Sequence, residues 1–403
     1  MLAMISLSLL GLRTWACVLV ALLVFGLPTL GPGGLAQVLM AGLSDVWTWD
    51  LTLSVALIAV LGALMRELEQ VEDIAEGLRG LGLSGRPLMA VGSALFGLLP
   101  VPGGAILSAS LVEEESRYES DVRGPASANL LFRHLNFFAY PFSPALMFLA
   151  GPALLNTSVF FLVLALLPVS VLHITTSYAA SFLKLGARGH RRGEPERALN
   201  RGRRGEATRL LRGLTPVVIA PALKAVLSWL GAPDLGFSIF VCASIIASLA
   251  LAWREGGIAR STAKALRDSR AYNIAAPVLL AMLFRDAFKA SAAPSELRSL
   301  FAFLPLPEVL SYVLLCWALG LATGSAFLSM TILPPGLSTP EVLMAYSGAV
   351  VGYIISPLHL CFIATAEYFG LRQAEMYPRL MAYASSMLVA STLLIWAYGP
   401  LLP

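Results

Sequence analysis

Charge is scarce in this chain: only 13% of its 403 residues are Asp, Glu, Lys or Arg, against 57% hydrophobic. An ordinary soluble domain carries about 25% charged residues, so no soluble domain of usual size fits here. Cysteine is also sparse. The four, Cys17, Cys242, Cys316 and Cys361, all sit inside apolar runs. None has the sequence spacing of a metal site or a disulfide framework, and they read as small buried hydrophobes. Enzyme signatures are missing as well. No His-Glu-x-x-His pair, Gly-x-Ser-x-Gly elbow or Gly-x-x-x-x-Gly-Lys-Ser/Thr phosphate loop occurs, which argues against a zinc peptidase, an α/β-hydrolase and ATP-driven transport by this chain alone. Catalytic residues and a cofactor are therefore not expected. With a formal net charge of only +4, no nucleic-acid partner is expected either.

What the chain has instead is apolar length. A membrane helix needs about 20 largely apolar residues, and runs of that kind cover 14–30, 47–65, 126–150, 156–183, 214–230, 236–253, 272–290, 340–368 and 380–402. Arg13 ahead of the first run imitates a secretory signal. No small-residue cleavage site follows and further spans do, so this run is read as the first transmembrane helix. Two more apolar stretches, 87–111 and 308–333, are interrupted by Pro and Gly and read as re-entrant hairpins.

Orientation follows from the basic segment after Leu183, which holds Lys184, Arg188, Arg191, Arg192, Arg197, Arg201, Arg203, Arg204, Arg209 and Arg212. Lys and Arg beside spans stay on the cytoplasmic side. Counting outward puts the N-terminus inside and the C-terminus outside, with Arg79, Arg86, Arg260, Lys264, Arg267, Arg270, Arg372 and Arg379 also inside. The outside loops 31–46 and 231–235 contain no Lys or Arg. The chain is expected to be a multi-pass protein of the cytoplasmic membrane, with lipid as its surroundings.

The chain also resembles itself. Leu61-Gly-Ala-Leu-Met-Arg66-Glu67 matches Leu280-Ala-Met-Leu-Phe-Arg285-Asp286, and a broken apolar segment follows each. After the first comes an amphipathic piece, with Leu68, Val71, Ile74, Leu78 and Leu81 at helical spacing, expected to lie along the membrane interface. Pro102-Gly103-Gly104-Ala105 then pairs with Thr323-Gly324-Ser325-Ala326, and Tyr140-Pro141-Phe142-Ser143-Pro144 with Tyr353-Ile354-Ile355-Ser356-Pro357. The span count sends 47–65 and 272–290 in opposite directions. The fold expected is all-α and polytopic: an inverted repeat with two re-entrant hairpins and two unwound transmembrane helices. The first repeat is 1–185, the basic cytoplasmic loop 186–212, and a linking span plus the second repeat 213–403.

Non-helical backbone survives in a bilayer only where it is buried in protein or lines a polar cavity. Paired breaks therefore mark the candidate site. Pro102, Gly103 and Gly104 with Ser108, and Thr323, Gly324 and Ser325 with Ser329, would offer backbone N–H groups and hydroxyls to an anion. At the unwound spans Ser143 and Ser356 would add oxygens for a cation. Asn129, Arg133 and His134 lie about one helical turn apart within the third span. Arg133 reads either as an anion ligand or as an interfacial snorkelling arginine. His134 and His359 read either as proton carriers or as hydrogen-bonded structural groups. Glu367, late in the eighth span, is a coupling candidate or an interfacial acid. Substrate binding is thus assigned to Pro102, Gly103, Gly104, Ser108, Asn129, Arg133, Thr323, Gly324, Ser325 and His359. Cation or proton coupling is assigned to His134, Ser143, Ser329, Ser356 and Glu367.

Three blocks carry a family resemblance: Leu99-Pro100-Val101-Pro102-Gly103-Gly104-Ala105; Asn129 with Phe132-Arg133-His134; and Ser356-Pro357-Leu358-His359-Leu360-Cys361 with Glu367-Tyr368-Phe369. They resemble an uncharacterised integral-membrane family of the ion transporter superfamily, grouped with gluconate, citrate and dicarboxylate permeases and arsenite exporters. The resemblance implies an elevator-type transporter, often a homodimer, in which two hairpins and two unwound helices move against a scaffold. It also implies organic-anion movement coupled to sodium ions or protons. The chain departs from the dicarboxylate carriers, whose hairpin tips carry Ser-Asn-Thr where Pro102-Gly103-Gly104 and Thr323-Gly324-Ser325 stand here. The resulting expectation is a secondary active transporter for a small organic anion. Two alternatives stay open: an intramembrane enzyme on a lipid-like substrate, with His134 or His359 as base beside Glu367, and a passive channel.

Overall fold

The computed structural model describes residues 14–98, 104–116, 119, 121–152, 154–183, 203–232, 235–253, 258–267, 269–293, 295–296, 299 and 305–402. Every regular element among the described residues is helical. The first part of the chain runs α1 (Thr14–Ser44), α2 (Val46–Glu67), α3 (Gln70–Gly80), α4 (Gly85–Gly97), α5 (Gly104–Glu115), α6 (Arg123–Arg133), α7 (Asn136–Ala139), α8 (Pro144–Ala150), α9 (Val159–Ala165) and α10 (Leu167–Phe182). The second runs α11 (Arg203–Trp229), α12 (Phe237–Ala252), α13 (Ile258–Arg267), α14 (Ser269–Ala290), α15 (Glu308–Thr323), α16 (Ala326–Met330), α17 (Thr339–Ile354), α18 (Leu360–Tyr368) and α19 (Gln373–Tyr398).

Helix boundaries follow local chemistry. Asp45 caps α2, its carboxylate accepting from the N–H of Trp47 at 3.3 Å and of Thr48 at 3.0 Å. Asp50 does the same at a distance in sequence, accepting from Phe237 N at 2.8 Å and Ser238 N at 3.1 Å, and so seats α12 on α2. A carboxylate there satisfies orphan donors and meets the positive end of the helix dipole. Glu341 reaches back to Ser338 N at 2.7 Å and fixes the start of α17. α1 kinks at Gly31, whose φ of 68° lies between Pro28 and Pro32.

Four described helices, α1, α2, α11 and α19, are long and apolar enough to cross a membrane, and the pair α9–α10, bent by 52°, makes a fifth if taken as one span. α12 and α15 are shorter apolar helices. Leu164, Val171, Ile246, Trp229, Trp253 and Trp396 all face outward. Large apolar side chains exposed in this way fit a membrane-embedded protein. Of the nine apolar runs, 126–150 is divided into α6, α7 and α8, and 340–368 into α17 and α18.

The amphipathic segment forms α3 as expected, but its apolar face is covered by protein. Val71, Ile74 and Leu78 are buried, and a Cβ on Gly77 would meet Leu210 while one on Gly213 would meet Gln70 O and Ile74. Two backbones this close are possible because both contact positions are glycine. Charge then fits charge: Arg212 lies 3.5 Å from Asp73, and Arg209 pairs with Glu76. The lower part of the basic run therefore belongs to α11, where it pairs with α3. Residues 184–202 of that run lie outside the described residues.

Packing sorts the helices into two sets. α1, α2 and α14 pack together, α2 also carries α12 and α13, and α11 lies between α3 and α12. In the other set α4 packs on α5 and α6, α10 on α6 and α19, and α17 on α15, α16 and α19. Contacts of α3 with α4 and of α2 with α8 join the sets. A crevice lined by Ile58, Leu61, Gly62, Tyr140, Phe142, Val217, Ala220 and Val241 opens along the seam.

Candidate functional site

Both predicted hairpins consist of two helices that pack on each other, α4 on α5 and α15 on α16. Pro102 and Gly103 lie outside the described residues, and Gly104 is the first residue of α5. In the second hairpin the break is explicit. α15 ends at Thr323, Gly324 takes the left-handed conformation at φ 62°, and Ser325 is extended and caps α16 by accepting from Leu328 N at 3.2 Å. Only glycine adopts that φ at little cost. A Cβ there would also stand 3.2 Å from the carbonyl of Leu358, so the hairpin tip is pressed directly on the break between α17 and α18.

The two unwound spans come apart where the Pro and Ser residues predict. Tyr140 and Ser143 are extended between α7 and α8, whose first residue is Pro144. Ser356 to His359 separate α17 from α18. Ser356 Oγ donates to Leu321 O at 2.6 Å and accepts from Leu358 N at 3.2 Å, which ties this break to α15. Ser143 is buried.

All four broken elements meet around one buried polar cluster. Asn129 on α6 donates to Ala105 O at 3.2 Å in the first hairpin and to Thr365 Oγ1 at 3.0 Å on α18, while Ser93 Oγ approaches its carbonyl oxygen at 3.5 Å. Arg133, only 4% exposed, reaches Ser108 Oγ at 3.5 Å and also bonds Cys361. His134 caps the end of α6, His359 stands at the start of α18, and their Nε2 atoms are 3.2 Å apart. Tyr353 lies over His359 with ring centroids 4.0 Å apart and meets His134 edge-on at 5.4 Å. A charged guanidinium held in such a place is costly without an anionic partner or several acceptors.

Several predicted residues are thus brought together: Ser108, Asn129, Arg133, His134 and His359, with Gly324 and Ser356 touching the same break. The hydroxyls of Thr323 and Ser329 are turned back onto their own backbone, both donating to Ser325 O, at 3.3 Å and 2.8 Å. Glu367 is exposed on α18, eight residues beyond His359, or about 12 Å along a helix. It does not join the histidines. Sequence reasoning missed Tyr353, Thr365, Ser93 and above all Cys361. Cys361 stands in an apolar run without metal-site spacing, whereas its partner His134 lies far away in sequence and close in space. The His359-x-Cys361 spacing was the available signal.

A third histidine shows the contrast. His173 Nε2–H donates to Leu131 O at 2.9 Å, and its Nδ1 accepts from Tyr383 OH at 2.8 Å. Both nitrogens are occupied by protein groups, so His173 fastens α10 to α6 and α19.

Compared with known families, the chain matches over residues 5–398 the one described as "Protein of unknown function (DUF401)". No curated protein matches it.

Proposed function

The chain belongs to the DUF401 family, and from its site we propose that it is a secondary active transporter for a small organic anion, coupled to sodium ions or protons. One observation carries the reading: four interrupted helical elements, two from each half, converge on a buried arginine and two histidines. Interrupted helices in matching places are the usual construction of alternating-access carriers. The crossed packing of the breaks supports an inverted repeat, since α5 of the first hairpin packs on α18 and α16 of the second packs on α8. In this reading Arg133 and the N-terminal N–H groups of α5 and α16 attract the anion, and carbonyls freed at the two unwound spans hold the coupling ion. The set containing the hairpins moves along α2, α11 and α12, with the basic segment on the cytoplasmic side. An intramembrane enzyme pairing a histidine with Glu367 draws less support, because that carboxylate stands exposed.

The test begins with purified protein in detergent, screened for thermal shift against organic anions with and without sodium, since a ligand that binds only the folded state raises its melting temperature. Anions that shift it are then assayed for uptake into proteoliposomes under an imposed ion gradient. Gradient-dependent uptake, lost in Gly324→Val and Gly104→Val while the protein still purifies as a single species, is the expected result. Uptake that ignores the gradient would mean a channel, and full uptake by both variants would remove the hairpin tips from the mechanism.

A further inference from the structure

The two facing imidazoles pose a chemical problem that the carrier reading does not address. His134 Nδ1 lies 2.6 Å from Leu130 O, and His359 Nδ1 lies 3.3 Å from Ile354 O. A carbonyl oxygen has no hydrogen to give, so in each contact the ring nitrogen is the donor. A neutral imidazole that carries its hydrogen on Nδ1 presents a lone pair at Nε2. Both Nε2 lone pairs then face each other across 3.2 Å. That is repulsive unless something positive lies between them.

The third member is a sulfur. The ligand atoms of His134, His359 and Cys361 all lie within 4.8 Å of one another, and the Cys361 thiol sits beside the side chains of both His134 and Arg133. A backbone carbonyl behind Nδ1, with Nε2 directed forward, is the outer support that metal-binding histidines ordinarily have. Zinc bonds of about 2.0–2.1 Å to nitrogen and about 2.3 Å to sulfur place tetrahedral ligand atoms roughly 3.3–3.6 Å apart. The two nitrogens already stand at nearly that spacing, and the sulfur needs a small inward turn of a side chain one residue into α18.

We propose that His134, His359 and Cys361 form a binding site for a borderline-soft transition-metal cation of the zinc type, with three protein ligands and a fourth position open. Nitrogen and sulfur donors select such ions over sodium, magnesium and calcium, which prefer oxygen. The site is therefore chemically distinct from the carbonyl and hydroxyl groups invoked above for sodium, and it binds its ion whether or not the chain is a carrier. Arg133 is the charged neighbour. A thiolate ligand offsets its charge, and the remaining positive charge favours an anion or hydroxide in the open position. Because the ligands come from α6 and α18, an ion here fastens the break of one half to the break of the other.

Cobalt reports on such a site directly, through thiolate-to-metal charge-transfer absorption. Full-length protein in detergent is stripped with chelator and titrated with Co2+, then with Zn2+ as competitor. The expected result is one Co2+ per chain with a charge-transfer band that Zn2+ abolishes. Cys361→Ser should lose the band, and His134→Ala or His359→Ala should weaken binding by at least about ten-fold. A Cys17→Ser, Cys242→Ser, Cys316→Ser protein, in which Cys361 alone remains, should keep the band, and metal should slow its labelling by a thiol reagent. This variant decides the matter if the ligand variants fail to fold. Absence of the band from it, or stoichiometry well below one, overturns the proposal and leaves a shared proton as the species between the rings.

Discussion

Asn129 shows how one side chain holds several pieces of broken backbone. Its amide nitrogen donates one hydrogen bond to the first hairpin and one to α18, and it is fully buried. Asn129→Leu leaves Ala105 O and Thr365 Oγ1 without that donor, and a buried polar group left unsatisfied costs about 1–3 kcal/mol. The apparent melting temperature in detergent should fall, while Glu367→Gln, on an exposed site, should leave it in place. An equal effect from the two would mean the network carries no stability. Asp121 makes a different kind of fastening at the end of the bundle. Arg379, 8% exposed, donates to Asp121 Oδ2 at 2.9 Å and to Ala180 O at 3.0 Å, and Arg123 Nε reaches Asp121 Oδ1 at 2.8 Å. Partial burial works to raise the carboxyl, but the hydrogen bonds from Arg123 and Arg379 prevail and hold it down to about 2. A carboxyl lowered in the folded state lends stability that is complete above its ordinary unfolded value and is lost as pH falls through the folded value. The melting-temperature gap between the native protein and Asp121→Asn should therefore be open near neutral pH and close as the pH falls from about 4 towards 2. A gap of constant size across that range would show that the pair is not linked to folding.

Among the elements, α15 and α17 approach closely along three glycines, which is what permits it. A Cβ on Gly352 would run into Trp317 O and Leu321 N, one on Gly320 into Ala349 O, and one on Gly348 into Val313 O at 2.6 Å. The first half repeats the device where Gly97 meets Arg133 O. Gly352→Ala should destabilise by about 1–3 kcal/mol through overpacking against backbone that cannot yield. Gly33→Ala, in α1 with nothing nearby to strike, should be neutral or stabilising by up to about 1 kcal/mol. The same melting assay reads both, and a Gly352→Ala protein as stable as the native one would show that the two helices can part. These elements also mark how far the sequence could be read. Breaks at Gly324, at Pro141 with Pro144, and at Ser356-Pro357 were legible, because the constraint is local to each backbone. The burial of α3 under α11 was not: periodicity shows that a face is apolar but not whether lipid or protein covers it. The facing of His134 and His359 was hidden for a related reason, since no pattern within one span encodes a partner in another. Cys361 was hidden further by looking like any small apolar residue.

At the scale of the whole molecule, a carrier of the proposed kind must let one set of helices slide past the other, so the seam should be apolar and weakly tied. The crevice there is lined mainly by Ile58, Leu61, Phe142, Val217, Ala220 and Val241. Across it Tyr140, in the first unwound span, donates its hydroxyl to Val217 O of α11 at 3.0 Å. Such a bond must break whenever the sets move, and its net worth is about 1 kcal/mol. Removing it by Tyr140→Phe keeps the ring, and with it the packing against Phe142, whose centroid lies 6.4 Å away. A change of that size alters a two-state ratio by about five-fold. Once a transported anion is in hand, its uptake rate should change by up to that factor in Tyr140→Phe, while its equilibrium affinity in detergent stays within about two-fold, because Tyr140 belongs to the seam and the anion to the polar cluster. A variant that lost affinity with its rate per bound solute intact would place the anion at Tyr140 instead, and the division into a moving and a standing set would lose its physical basis.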